Sequence, residues 1–343
     1  MRPVIDGHND VLTRLADAGA PDDALLREDA ATVTVPRAAA GGLAAGLFAV
    51  LPPVGAITPE RTEDGYAVPL SPPVPWPGAT RTVAALAGRL FRAIAASDGR
   101  VRLVRDVADL DACLAGSALG AVLHMEGAEA VDPGLDQLEL WYAAGLRSLG
   151  PVWSRPSIFG HGVPFRFPAS PDTGPGLRPA GVALVRRCAE LGILVDVSHL
   201  THLGVRDVAR IVDGPFVASH SGVHALCPST RNLTDDQLDL IGSCGGLVGI
   251  VGEVSALRAD GHDDPETPLA RIAEHAAYVA ERIGVEHVGL GSDFDGARMP
   301  AALPDASAFP ALLAALAAAG FDDAELDLIA HGNWRRVLAA AWR

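Results

Sequence analysis

Short apolar runs recur along the chain, and most stop at a His, Asp or Glu before a stretch of helical periodicity begins. Val4-Ile5 leads into Asp6-Gly7-His8, Gly42 to Leu51 ends at Pro52-Pro53, and Ala121-Val122-Leu123 leads into His124-Met125-Glu126. Leu146 to Trp153 is a fourth run, Ile193 to Val197 stops at Ser198-His199, and Phe216-Val217-Ala218 stops at Ser219-His220. Leu247 to Val251 precedes Glu253, and His287 to Leu290 runs to Ser292-Asp293. Amphipathic segments lie between them, clearest over Arg81–Ala96, Pro179–Leu191, Thr201–Val212, Pro268–Ile283 and Asp305–Ala319. Thr234 to Gln237 fits a capping box, and Asn333 is placed to cap the last helix. Near-continuous apolar strands alternating with helices describe a parallel sheet buried on both faces. An open doubly wound sheet also alternates, but no G-x-G-x-x-G follows the first strand, and polar residues close several strands instead of lining one crevice. The expected fold is α/β, a (β/α)8 TIM-type barrel, forming one domain over residues 1–343.

The length of 343 residues suits this barrel, which takes about 250 residues before insertions. Two Pro-rich stretches without periodicity, residues 52–80 and 154–179, supply the excess as long loops at the C-terminal mouth. Aromatic residues make up only 5% of the chain, so the interior must be tiled with Ala, Val and Leu. A net charge of −15 repels a phosphate backbone and argues against nucleic-acid binding. The four cysteines are widely spaced with no C-x-x-C pair, as in a reducing compartment. No apolar run is long enough to span a bilayer, and Met1 moves straight into the first strand. The expectation is a cytoplasmic protein without membrane contact.

In a barrel the C-terminal strand ends converge on one mouth, where active sites of this architecture lie. His8 and Asp10 follow the first strand, Glu126 ends the third, His199 the fifth, His220 the sixth and Asp293 the eighth. Imidazole nitrogen and carboxylate oxygen suit zinc. His8, Asp10 and Glu126 can hold one ion, and Glu126, His199 and His220 a second, with Glu126 shared. The chain contains no lysine, so a carbamylated lysine cannot bridge two ions here, whereas Glu126 can. A buried, unpaired Glu126 would otherwise be costly.

The strings Ile5-Asp6-Gly7-His8-Asn9-Asp10, His124-Met125-Glu126-Gly127, Asp196-Val197-Ser198-His199, Ala218-Ser219-His220-Ser221 and Gly291-Ser292-Asp293-Phe294-Asp295-Gly296 resemble the membrane dipeptidase (renal dipeptidase) family of zinc peptidases. The resemblance runs from Val4 to about Trp342. It implies an amidohydrolase-like barrel, two Zn2+ ions and hydrolysis of dipeptides, with tolerance of a D-residue at the C-terminal position. It assigns His8 and Asp10 to one zinc, Glu126 to the bridge, and His199 and His220 to the other zinc. Arg231 matches the residue that receives the substrate carboxylate, and Asp293 the carboxylate that handles protons. The family also implies a homodimer.

One position departs from the family. Animal-type members carry a His shortly after the fourth strand that contacts the scissile carbonyl; this chain offers Trp153 there, with His161 eight residues further on. His202, His224, His262, His275, His287 and His331 have no comparable context and read as structural or surface groups. His124 and Glu253 are candidates to support the ligands from behind. Two further readings stand beside the dipeptidase: a barrel metallohydrolase acting on lactones, cyclic amides or phosphotriesters, and an inactive barrel scaffold. The lack of lysine and the His-Asn-Asp spacing weigh against Lys-bridged relatives, and the full ligand set weighs against a scaffold.

Overall fold

A computed structural model describes residues 1–55 and 58–342. Residues 56 and 57, inside the first expected loop, and residue 343, at the end of the expected domain, lie outside it. All eight expected strands form: β1 Val4–Asn9, β2 Leu43–Val50, β3 Leu119–Glu126, β4 Leu146–Gly150, β5 Leu194–Val195, β6 Val217–Ser221, β7 Leu247–Val251 and β8 Val288–Gly291. They pair in parallel in chain order from β1 to β5 and from β6 to β8, and β8 returns to β1 through Asp6 and Leu290. Between β5 and β6 the ring closes through the Asp196–Val217 bridge and a 2.8 Å bond from Val197 N to Val217 O. The result is the closed barrel that the alternation requires.

Its strands are buried on both faces. One apolar cluster joins Ile5, Leu47, Val122, Leu194, Val217 and Leu247 to Trp334, Val337 and Leu338 of the last helix, Asn333–Ala341. That helix plugs the N-terminal end of the barrel, and Trp334 Nε1 donates to Leu290 O at 2.9 Å. The second, larger cluster packs the opposite strand faces, including Val4, Leu123, Ala218 and Val248, against the surrounding helices. Gly249 and Gly291 are required where their strands approach the Ser219 carbonyl, because a Cβ at either would lie far inside van der Waals contact with that oxygen.

The helices match expectation closely over Pro179–Leu191, His202–Ile211 and Ala270–Ile283. At Thr234 the capping box forms, Gln237 Oε1 accepting from Thr234 N at 2.9 Å. Asn333 does not cap the last helix. A π-turn over Leu328–Gly332 feeds straight into that helix, so Asn333 lies inside continuous helical backbone, and its amide serves Val285 O and Val288 O instead, each at 2.8 Å.

The long loops carry more structure than their composition suggests. Helix begins at Trp76 within the first, and Glu60–Arg61, Tyr66–Ala67 and Arg166–Phe167 form a small antiparallel sheet joining the two. The Tyr66 and Phe167 rings stack across it with centroids 6.2 Å apart. No helix among the described residues is long and apolar enough to cross a membrane.

Candidate metal centre and active site

The six strand-end groups do meet. Glu126, the last residue of β3, is the hub: its Oε1 lies 2.8 Å from His199 Nε2, 3.5 Å from His220 Nε2 and 3.6 Å from His8 Nε2. His199 and His220 bring their Nε2 atoms within 3.1 Å of one another. Asp10 Oδ2 stands 3.7 Å from His8 Nε2, and candidate ligand atoms of His8, Asp10 and Asp293 all fall within 4.8 Å of each other. All five expected ligands are buried. Asp293 sits in left-handed backbone at φ 64°, its amide donating to His8 O at 3.1 Å, so the turn after β8 is fastened to the end of β1. A non-glycine residue in that region is uncommon, and such strain gathers at functional sites.

The residues fit a divalent cation. His199 Nδ1 meets Ser154 Oγ at 2.8 Å and His220 Nδ1 meets Ser219 Oγ at 2.8 Å. Where each Nδ1 donates to its serine, both Nε2 lone pairs face each other and the Glu126 carboxylate, an arrangement that repels unless a cation lies between. Both His8 ring nitrogens and Asp10 Oδ1 are buried without a hydrogen-bond partner. Zinc held tetrahedrally at about 2.0–2.1 Å separates its ligand atoms by roughly 3.3–3.4 Å, and the Glu126–His199–His220 separations of 2.8, 3.1 and 3.5 Å bracket that spacing.

The electrostatics point the same way. Burial pushes the Glu126 carboxyl up to about 8, against the pull of His8. Burial also opposes charge on His8, but Glu126, Asp10 and Asp293 outweigh it and hold the imidazole up at about 10. Burial, then Arg231 and His8, depress His199 well below the usual imidazole range, and burial, then His8 and Arg231, do the same to His220. Burial raises Asp293 well above the carboxylate range, with Asp10, Glu253 and Glu126 adding to it. Burial disfavours charge on the Glu126 and Asp293 carboxyls and on the His199 and His220 imidazoles alike, as expected of a site short of the positive charge that a bound cation supplies.

A cavity of about 1290 Å³ opens over this cluster and is lined by Glu126, His199, His220, Arg231 and Asp293. Arg231 is buried and donates to Ser198 O; its Nη2 lies 3.3 Å from His199 Nε2. Trp153 forms a wall, its ring 5.8 Å from His199 and 5.5 Å from Phe165. Tyr66 lines the same cavity, and so does Glu253, which therefore faces the opening and does not stand behind the ligands. His161 does not enter the cavity, since its Nε2 accepts from Arg178 Nε at 3.3 Å.

The sequence reading missed the polar groups beneath the ligands. Asp196, Ser198, Ser219 and Ser154 are buried and bonded to the ligand histidines or to one another. Asp196 and its serines stood inside the motifs already singled out, so their position was the available signal. His124 does lie behind the ligands, its Nδ1 2.9 Å from Ser148 Oγ and its ring centroid 5.4 Å from that of His8.

A barrel gathering carboxylates and imidazoles at the C-terminal ends of its strands defines the class of metal-dependent hydrolases. Residues 1–342 match the model of the membrane dipeptidase family, peptidase family M19, and the chain belongs to that family. It is a metallopeptidase of the dipeptidase type. A solved dipeptidase, a metallopeptidase of family M19, superposes with a TM-score of 0.93 at 43% identity, covering 99% of this chain and 98% of the other. A metallopeptidase from Rhodobacter sphaeroides, solved with a phosphinate mimic of the dipeptide L-Ala-D-Ala, gives a TM-score of 0.92 at 41% identity over 99% of both chains. An uncharacterized protein of the pqqA 5′ region of Klebsiella pneumoniae is 44% identical over 74% of this chain and 94% of its own length.

Proposed function

We propose that this chain hydrolyses dipeptides at a two-zinc centre and accepts a D-residue at the C-terminal position. His8, Asp10 and Glu126 would hold one ion, and Glu126, His199 and His220 the other. Bound there, divalent ions make water nucleophilic at neutral pH and polarise the scissile carbonyl. The chain's own groups do the rest. Asp293 accepts a proton from the attacking water at its carboxylate and returns it to the leaving amine nitrogen. Arg231 receives the α-carboxylate, a charge-assisted contact that favours a chain ending one residue beyond the scissile bond. Trp153 and Phe165 wall the cavity on the His199 side and exclude water. Glu253, whose Oε1 accepts from Ser255 Oγ at 2.5 Å, faces the same cavity and suits the substrate's ammonium end.

The observation that carries this reading is the Glu126 carboxylate oxygen with three imidazole nitrogens between 2.8 and 3.6 Å away. Acceptance of a D-residue is supported by the mimic of L-Ala-D-Ala bound to the Rhodobacter relative. Glu126→Gln tests the centre. The wild type should bind two zincs per chain and cleave L-Ala-D-Ala as well as L-Ala-L-Ala, and the variant should lose both zinc and activity. A variant retaining two tightly held zincs at full rate would overturn the bridging role, and a wild type that cleaves L-Ala-L-Ala but leaves L-Ala-D-Ala intact would overturn the acceptance of a D-residue.

A further inference from the structure

Beneath the proposed centre, one buried carboxylate has no place in the reaction. Asp196 is 3% exposed and follows β5. Its Oδ1 accepts from Ser198 N at 3.1 Å, Ser198 Oγ at 2.7 Å and Ser219 N at 2.8 Å. Its Oδ2 accepts from Ser219 Oγ at 2.6 Å and lies 3.6 Å from His124 Nε2. The same Ser219 Oγ is 2.8 Å from His220 Nδ1.

These contacts fix a chain of proton positions. An ionised carboxylate can only accept, and at 2.6 Å it is the strongest acceptor within reach of the Ser219 hydroxyl. The Ser219 proton therefore points to Asp196, and the oxygen turns its lone pairs toward His220. A lone pair on that oxygen requires a proton on His220 Nδ1. A neutral imidazole carrying its proton on Nδ1 has a bare lone pair on Nε2, the atom that faces His199 and Glu126. We infer that Asp196 is a positioning residue that sets the tautomer of His220 through Ser219, and so makes Nε2 a metal ligand. The inference rests on the ligand role proposed for His220. At His199 no carboxylate holds the Ser154 hydroxyl in this way among the described contacts; there Arg231 Nη2, which can only donate, lies 3.3 Å from Nε2.

Asp196→Asn reverses the chain. The amide that replaces Oδ2 donates to Ser219 Oγ, the hydroxyl proton turns to His220 Nδ1, and the imidazole proton moves to Nε2, where it blocks a cation. Two measurements on the full-length protein test this. Competition with a chelator should show zinc held about 10–100-fold more weakly by Asp196→Asn. Nitrogen NMR of histidine-labelled protein stripped of metal should report His220 protonated on Nδ1 in the wild type and on Nε2 in the variant. Should Asp196→Asn fail to fold, Ser219→Ala removes the relay while leaving the three Oδ1 bonds' acceptor in place, and should weaken zinc in the same assay. Wild-type zinc affinity in a folded variant, or an unchanged His220 tautomer in Asp196→Asn, would overturn the inference while leaving the ligand assignment intact. A His220→Ala control that keeps both zincs would instead overturn the ligand assignment, and the inference with it.

Discussion

Asp6 should make the stability of this barrel fall as pH rises through a narrow acid window. The side chain is fully buried near the start of β1 and accepts from Ser292 N at 2.7 Å and Ser292 Oγ at 2.8 Å. Burial pushes its carboxyl from 3.8 up to about 6, and the two Ser292 bonds do not offset the lost hydration. The folded chain thus keeps this proton to about pH 6, whereas the unfolded chain releases it near 3.8. Between those values the folded state binds the extra proton, so stability declines as pH rises and levels off above about 6. At 1.36 kcal/mol per pH unit, the interval corresponds to about 3 kcal/mol. Asp6→Asn keeps an acceptor for the Ser292 amide and removes the titration. Urea unfolding of both proteins from pH 4 to 8, with chelator present, isolates the effect as the difference between the two curves. Wild type should lose about 2 kcal/mol relative to the variant between pH 4 and 6 and about 0.4 kcal/mol more as pH rises to 7, with a constant difference beyond that. Parallel curves across the whole range, or a wild type that gains on the variant as pH rises, would refute the reasoning.

Removing the proposed carboxylate anchor by Arg231→Met should lower kcat/KM on a free dipeptide by about 10–150-fold, the equivalent of 1.5–3 kcal/mol for a charged hydrogen bond. The same variant should act on the dipeptide amide nearly as the wild type does, and an equal loss on both substrates would mark a purely structural role. Glu253→Gln should raise KM for dipeptides with a free amine and leave N-acetylated analogues unaffected, as steady-state kinetics on the pair will show. Trp334→Ala, which empties the plug of the barrel and strands the Leu290 carbonyl, should cost about 3–5 kcal/mol in chemical denaturation; a loss below about 1 kcal/mol would show that the end of the barrel collapses around the gap.

The barrel was legible because parallel strands buried on both faces leave continuous apolar runs, and all eight runs became strands. The long loops were legible only as loops. Their sheet is built from strands of two residues, Glu60–Arg61, Tyr66–Ala67 and Arg166–Phe167, too short for any alternation to register. Asn333 misled because an amide before an apolar segment is a common helix start, while the π-turn that carries helical backbone through it leaves no compositional trace. The ligands could be read because His, Asp and Glu at strand ends are unusual residues in unusual places. Their supports could not: Ser219 inside β6, Asp196 just after β5 and Ser154 in the loop after β4 are small polar residues of kinds that also serve ordinary turns. What distinguishes them is burial and the direction of a proton, and neither is written in residue type.

The way the ligands reach the mouth shows a further limit of sequence periodicity. Along β3, Val122 faces the inner cluster and Leu123 and Met125 the outer one, so simple alternation delivers His124 and Glu126 inward. Along β6, Val217 is inner and Ala218 outer, and the same rule would turn His220 outward, toward the helices. Along β1, Val4 is outer and Ile5 inner, and the rule would turn His8 outward as well. Both strands break register at the critical point, β6 against β7 between Ala218 and Ser221, and β1 against β2 between Asp6 and Asn9. Such irregularities re-aim side chains near active sites, and here they bring His8 and His220 to within 3.6 Å of the Glu126 carboxylate. Glu126 therefore arrives by regular pleating against β2, although β3 too shifts register against β4 between Leu123 and His124, and the two histidines by departures from it. Restoring regular pairing in either strand would preserve the barrel and every ligand's identity, yet would dismantle the centre.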